Sequence, residues 1–351
     1  MPPRPLARIT IKDLARDLGM SVATVARAFH SGGTIAEGTR QAVLKRAAEL
    51  GYQPNALARG MITRHTRIVG VVLSDLENPF YPQVLTRLTE ALQQVGLNVM
   101  LVVAEPSGSV DSAMRLLLSY QPEYAVILAT TLTTGAAAAC RAAGTPLLFF
   151  NRAPAEEEAC AVVCDNAAGA AAVADHLVAC GARRLAFLGG RPDTSTHAER
   201  RAGFLERCAA HGLPAPLEAP AGAFTYAAGY AAAQRLLAAP ERPEALFCAN
   251  DILAIGAMQA ARREFGLRIP RDLAIAGFDD VAMASWPEHD LTTLRQPIPA
   301  MVELAVRWVC RSAAGEAPPQ GTLRLPGTLV VRGTTRPGTP SLPAPALEDQ
   351  A

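Results

Sequence analysis

Five apolar runs in this chain each stop on a short polar side chain. Asp75 follows Ile68–Ser74, Asn151 follows Leu147–Phe150, and Asp165 with Asn166 follows Ala161–Cys164. Asn250 with Asp251 closes Ala245–Ala249, and Asp279 with Asp280 closes Ile275–Phe278. Amides and carboxylates of this size suit hydroxyl groups, because they present acceptors, or an acceptor beside donors, in one plane. If the runs are parallel strands, their carboxyl ends open on one crevice, and the ring of Asp and Asn faces a small polyhydroxylated solute. The competing use is helix capping, since a residue between strand and helix can take the free amides of the next turn. Asn166 and Asp251 are expected mainly as caps.

Other groups can join such a crevice. Phe80 in ENPFY and Phe224 in GAFTY can stack on a sugar ring or fill a core. Thr194, Ser195 and Thr196 stand near the start of a helix pattern, where an anion is well received. Arg200, in ERRAGF, carries a fork that can grip vicinal hydroxyls or a carboxylate, or can simply be solvated as Arg201 is expected to be. Catalytic patterns are missing: the chain has no GxGxxG, no Walker lysine loop, no GxSxG and no HExxH. The six His residues are dispersed. No cofactor is expected, and the reading is of a binding protein, not an enzyme.

The elements that must position these groups follow from the apolar pattern. Strand-like runs at Ile68–Leu73, Asn98–Val103, Tyr124–Ala129, Leu147–Phe150, Ala161–Cys164, Arg184–Leu188, Ala245–Cys248 and Leu273–Phe278 alternate with helical patterns. The helices read as Pro82–Val95, Val110–Tyr120, Ala167–Cys180, His197–His211, Tyr226–Leu237 and Leu253–Phe265. Continuous apolar strands separated by amphipathic helices mean doubly wound parallel sheets covered on both faces. The stretch is too long for one comfortable open sheet, so two lobes are expected.

Composition narrows the class further. The chain has 351 residues, half of them apolar, yet no uncharged apolar run is long enough to span a bilayer. The beginning, MPPRPLARIT, lacks an apolar signal core, so a cytoplasmic protein with no membrane partner is expected. The seven Cys are scattered with no CxxC pair, which points to reduced, buried thiols and no metal site. From Pro337 the sequence is Pro-rich, expected to be disordered, and free of leucine heptads.

Charge is distributed unevenly. Residues 1–67 hold 11 Lys+Arg against 4 Asp+Glu, a net +7, while the remainder carries 22 against 28, a net −6. A basic head on an acidic body is the footprint of phosphate binding. The head itself reads as a helix-turn-helix followed by a third helix. Thr10 and Asp13 can form a capping box, with Ile11, Leu14, Ala15 and Leu18 on one face. Gly19 permits a left-handed turn, and Ser21 can cap a second helix running to Phe29. Val25, Ala28 and Phe29 face inward, leaving Val22, Ala23, Thr24, Ala26 and Arg27 outward. Short side chains near a helix start let the backbone approach DNA, and Arg27 can reach a base or a phosphate. The third helix, Ala36–Leu50, packs through Val43, Leu44, Ala47 and Leu50.

The words IKDLARDLGMS, TVARAF, TRQAVLKRAAELGYQPNALAR and IVGVV resemble the lactose-repressor (LacI/GalR) family of bacterial transcription regulators. The likeness runs to Arg336. Three positions depart from the family's habit: Ala26 replaces a Ser, Ala36 replaces a capping Ser or Thr, and His30 replaces an Asn. The resemblance implies a helix-turn-helix headpiece at 1–52, a hinge helix or linker at 53–64, and a body at 65–336 of the periplasmic-binding-protein type. Within the body it implies a first lobe at 65–163 with 295–322 and a second at 164–292 with 323–336, the chain crossing near 163–165, 291–296 and 321–326.

By the same resemblance the hinge, Gln53–Met61, folds only on DNA, and Met61 wedges into the minor groove. Residues alone also allow a plain linker, because a two-turn helix is unstable in isolation. The implied DNA contacts are Thr10, Ser21, Val22, Ala23, Thr24, Arg27, His30, Asn55, Ala58, Arg59 and Met61. The implied effector set is Asp75, Phe80, Asn151, Asp165, Thr194, Ser195, Arg200, Phe224, Asn250 and Asp279, with Arg200 the cationic anchor.

The expected function is a homodimeric regulator, with repression the expected sense, that reads a palindromic operator in double-stranded DNA. A small sugar or sugar acid between the lobes controls it. The alternatives are a cytosolic sugar-binding protein, or a sugar-modifying enzyme, with a helical appendage.

Overall fold

The computed structural model describes residues 9–29, 35–55, 60, 65–104, 110–128, 134–153, 159–313, 316 and 320–335. It divides into two units, residues 1–66 and 67–351. His30, Ala58, Arg59, Met61 and the tail 337–351 lie outside the described residues.

In the first unit, α1 (Ile11–Asp17) starts on the capping box: Thr10 takes the Asp13 N–H, and Asp13 takes the Thr10 N–H at 3.1 Å. Gly19 is left-handed at φ +63°. Helix α2 (Val22–Ala28) starts where Ser21 Oγ accepts the Thr24 N–H at 3.1 Å. Helix α3 (Glu37–Glu49) begins after Ala36 with no side-chain cap, as the missing hydroxyl dictates. Leu14, Ala15, Val25, Ala28, Val43 and Ala47 make the core. Leu44 is only half-buried. Arg46 ties α3 to α1 through a fork onto Asp17 at 2.5 and 2.9 Å.

The second unit holds two six-stranded sheets. The first contains β1 (Ile68–Leu73), β2 (Asn98–Val103), β3 (Tyr124–Ile127), β4 (Leu147–Phe150), β5 (Cys160–Cys164) and β11 (Thr322–Leu325). Their order is β11-β5-β4-β3-β1-β2, all pairs parallel. The second contains β6 (Leu185–Gly189), β7 (Leu217–Pro220), β8 (Ala245–Cys248), β9 (Ala274–Asp279), β10 (Thr292–Arg295) and β12 (Thr328–Val330). Its order is β12-β10-β9-β8-β6-β7, with only β12 antiparallel.

Helices cover both faces of each sheet. Val69, Val71 and Leu73 point into one core and Val72 into the opposite one, so β1 is apolar throughout. The first lobe carries α4 (Phe80–Gln94), α5 (Val110–Ser119), α6 (Thr134–Ala142) and α11 (Ile298–Ala313). The second carries α7 (Asn166–Ala179), α8 (Ser195–Ala210), α9 (Tyr226–Leu237) and α10 (Asp251–Phe265) around a cluster that includes Phe187, Phe204, Phe247 and Phe278.

Several boundaries differ from the sequence reading. Residues 292–295 and 322–325, expected as crossings, are strands, and the crossings fall at 296–297 and 326–327. The first lobe therefore reaches Leu325, not 322, because Thr322–Leu325 pairs with Ala161–Cys164. Helices α6 and α11 and strands β7 and β12 were not expected; the strands are short and mixed in polarity, which hides the period-two signal.

Candidate functional site

The cleft of the second unit is built from strand ends and from the helices that follow them. One cavity, open to solvent on one side, is lined by Asn78, Phe80, Tyr81, Asn151, Arg152, Thr196, Arg200, Phe224, Asn250 and Asp279. Asn78, Phe80 and Tyr81 follow β1, and Asn151 and Arg152 follow β4, so five residues come from the first lobe. Thr196 and Arg200 sit on α8, Phe224 precedes α9, Asn250 follows β8, and Asp279 ends β9.

Arg200 is the centre of the second-lobe wall. It is 3% exposed, and its guanidinium lies 3.6 Å from the centroid of the Phe278 ring. Nε donates to Asn166 Oδ1 at 2.9 Å, Nη1 to the Ala249 carbonyl at 2.6 Å, and Nη2 faces Asp279 Oδ1 at 3.3 Å. A flat cation held on three sides is fixed in position before any solute arrives. Asp279 also accepts from Gln296 Nε2 at 2.7 Å. Burial pushes the Asp279 carboxyl up to about 6, against the opposing pull of Arg200 and Gln296. The backbone here is unusual: φ is +116° at Asp279, +56° at Asp280 and +71° at Asn151. Left-handed non-glycine residues at two strand ends mark a conformation imposed by the surroundings.

The helix pair α7 and α8 makes this geometry possible. A Cβ at Gly203 would lie 2.2 Å from the Ala167 carbonyl oxygen, so only glycine lets the two backbones touch. That contact brings Asn166, at the start of α7, within reach of Arg200.

Six of the expected effector residues share the cavity: Phe80, Asn151, Arg200, Phe224, Asn250 and Asp279. Four do not line it. Asp165 caps α7 by accepting the Ala168 N–H at 3.0 Å. Thr194 caps α8, taking the His197 N–H at 3.3 Å. Ser195 accepts the Ala153 N–H at 3.1 Å, a bond from the second lobe to the first. Asp75 is half-buried beside the cleft, its carboxyl raised by burial although Arg152 and Arg191 oppose this.

The cap assignments also need correction. Asn166 is not the cap of α7 but bonds to Glu199 and Arg200. Asp251 is not the cap of α10 either; Asn250 is, taking the Leu253 N–H at 3.1 Å. Asp251 is fully buried, accepting from Val281 N–H at 2.9 Å and Thr293 Oγ1 at 2.5 Å. Burial, and then the nearby Asp279 charge, push its carboxyl well above the usual range. Arg201 is exposed and pairs with Glu218, as its expected solvated role requires.

Asn78, Tyr81 and Arg152 were missed. They neighbour Phe80 and Asn151 in sequence, and the Tyr81 hydroxyl accepts from Asn151 Nδ2 at 3.3 Å. Adjacency to a strand end was the available signal.

In the first unit, Ser21, Val22, Ala23 and Arg27 are exposed along α2, and Val22 keeps 41% of its surface free. Arg27 Nε rests on the Ala23 carbonyl at 3.3 Å. Thr24 is half-buried and shares a 2.8 Å hydroxyl contact with Ser21. Thr10 is exposed, with its hydroxyl on Asp13 at 2.7 Å, and Asn55 is exposed. No helix among the described residues is long and apolar enough to cross a membrane.

Comparison with known proteins agrees with this division. Residues 10–55 match the family described as bacterial regulatory proteins, lacI family, and residues 174–335 match a periplasmic binding protein-like domain. The transcriptional regulator GalS of Salmonella typhimurium is 30% identical over 310 residues, covering 88% of this chain and 91% of its own. Catabolite control protein A of Priestia megaterium is 27% identical over 333 residues, covering 93% and 99%. Among solved structures, the lac repressor dimer bound to operator and the anti-inducer ONPF superposes with a TM-score of 0.84 at 27% identity, covering 93% of this chain and 99% of that one. These relatives are regulators, not enzymes. The exposed α2 face, the two-lobed body and these likenesses agree: the chain belongs to the lacI family of bacterial regulatory proteins and is a DNA-binding transcriptional regulator.

Proposed function

We propose that this chain is a cytoplasmic repressor that grips a palindromic operator as a homodimer and is controlled by a small sugar or sugar acid held between its lobes. The observation that carries the reading is the cavity shared by Arg200, Asp279 and Asn250 from one lobe and Asn151 and Phe80 from the other. Arg200 and Asp279 offer a donor and an acceptor side by side, which suits neighbouring hydroxyls, and Phe224 offers an aromatic face for a ring. Solved relatives include a complex of the regulator CelR with cellobiose.

In this reading α2 enters the major groove, with Ser21, Val22, Ala23, Thr24 and Arg27 as its contact face and Thr10 and His30 at the flanks. Residues 53–64 form the hinge, with Asn55, Ala58, Arg59 and Met61 folding onto the minor groove. The cleft binds its solute without turnover. Solute binding changes the angle between lobes, and a differential affinity of about 1–3 kcal/mol gives a several-fold to hundredfold change in operator binding.

The test is operator binding measured across salt concentrations, for the full chain and for a variant lacking residues 1–62. The full chain should lose affinity steeply with salt, because phosphate contacts release counterions. The truncated body should bind solute and ignore operator. Specific operator binding by that body would overturn the division of roles.

A further inference from the structure

Glu199 precedes Arg200 on α8 and takes no part in lining the cavity, yet it is wired to the cleft arginine through one buried amide. Asn166, 1% exposed, donates from Nδ2 to Glu199 Oε2 at 2.8 Å and accepts the Arg200 Nε–H at Oδ1, 2.9 Å. The other Glu199 oxygen, Oε1, meets Arg324 Nη2 at 2.8 Å. Arg324 lies on β11, in the sheet of the first lobe, whereas Glu199, Asn166 and Arg200 belong to the second. A continuous polar line therefore runs from the first lobe, through Arg324, Glu199 and Asn166, to Arg200 and on to Asp279 and Gln296, where the chain leaves the second lobe.

The amide can face only one way. Reversed, its NH₂ would point at a guanidinium and its oxygen at a carboxylate, so both contacts would become repulsive. Glu199 fixes one of these two ends. The Glu199–Arg324 pair is itself partly exposed, at 21% and 42% of side-chain surface, so its direct value to stability is small. Its leverage lies in what it orients: a buried amide that in turn holds a buried guanidinium.

We propose that Glu199 is a positioning residue for the effector site: it holds the Asn166 amide in one orientation, so that Arg200 is presented to the cleft, and through Arg324 it links that presentation to the seating of the first lobe. This rests on the cleft being the effector site. It assigns solute response to a residue outside the cavity lining.

The test has one arm that needs no solute. In full-length protein labelled with ¹⁵N-asparagine, the Nδ2 proton of Asn166 that faces Glu199 should resonate downfield and exchange slowly. Glu199→Ala should abolish both features. Glu199→Gln should keep them, because its amide oxygen can take the same hydrogen bond. Retention of the wild-type signal in Glu199→Ala overturns the proposal, whatever the solute.

The second arm uses D-galactose and D-glucuronate as probes in calorimetric titrations. For whichever binds, Glu199→Ala should weaken affinity about tenfold, Glu199→Gln about twofold, and Arg200→Lys should abolish binding. Loss with Arg200→Lys but full affinity in Glu199→Ala overturns the positioning role alone. Full affinity in Arg200→Lys overturns the cleft assignment on which the role rests. If neither sugar binds, the amide signal decides.

Discussion

Thr293 Oγ1 stands 2.5 Å from Asp251 Oδ1, joining the strand that leads out of the second lobe to the first turn of the helix behind Asn250. Asp251 is fully buried and its carboxyl is raised well above the usual range. A raised carboxyl favours the protonated folded state, so its stabilising share is complete below about pH 4 and is lost as pH rises through the folded value. Asp251→Asn supplies an amide that can donate to Thr293 and still accept from Val281. Urea midpoints from pH 5 to pH 9 should fall with rising pH in the wild type and fall less in this variant. Parallel curves would contradict a buried proton on Asp251.

Arg200 faces Asp279 inside the same lobe. Removing one partner of a buried pair strands the other charge, at a cost of about 3–5 kcal/mol. Arg200→Ala should lower the unfolding free energy by that order. Adding Asp279→Asn should recover part of the loss, because the stranded carboxylate is gone while the Asn166 and Ala249 oxygens still lack their donor. Chemical unfolding of the two single variants and the double variant measures the coupling.

Helix α3 starts on Ala36 without a side-chain cap. Ala36→Ser should stabilise the first unit by roughly 1 kcal/mol, the usual worth of a capping oxygen. Slower hydrogen exchange at the amides of the first turn of α3 would report it. Unchanged exchange would mean that these amides already have other partners.

Gly203 permits the contact between α7 and α8. Gly203→Ala should destabilise the body by about 1–3 kcal/mol through overpacking. Separation of the helices should also stretch the Asn166–Arg200 bond, so solute affinity is expected to fall with stability.

Arg27 is exposed on the outward face of α2. Arg27→Ala should weaken operator binding by about 1–3 kcal/mol and relax the preference at one base pair, if it forks onto a base edge. Competition binding against single-base operator variants gives the readout. A uniform loss across sequences would place Arg27 on phosphate instead.

The lobes were legible wherever burial left a continuous apolar record. Ile68–Leu73 and Ala245–Cys248 are buried on both faces and match the sequence reading residue for residue. Thr292–Arg295 was placed in a crossing by the family resemblance, and its two threonines gave no apolar signal against that. Both are in fact fully buried: Thr292 bonds to Thr334, Arg332 and Thr335, and Thr293 to Asp251.

The cleft was legible through one geometric rule, that strand ends in parallel sheets open on a crevice. The rule placed Asn151, Asn250 and Asp279 in the cavity. It failed for Asp165, whose carboxylate turns back onto the amides of α7. The cap of α10 was assigned to Asp251 although Asn250 both caps the helix and lines the cavity, because a one-residue shift at a helix start decides which side chain meets the free amides. Glu199 left no signal in sequence, since its importance comes from a partner 33 positions away.

Residues 322–330 give an outer strand first to one sheet and then to the other. Cutting the chain just ahead of Thr322 would therefore strip a margin from each half of the body in a single stroke. Two raw borders with unpaired amides invite clumping, so such a product should precipitate rather than survive as a working half.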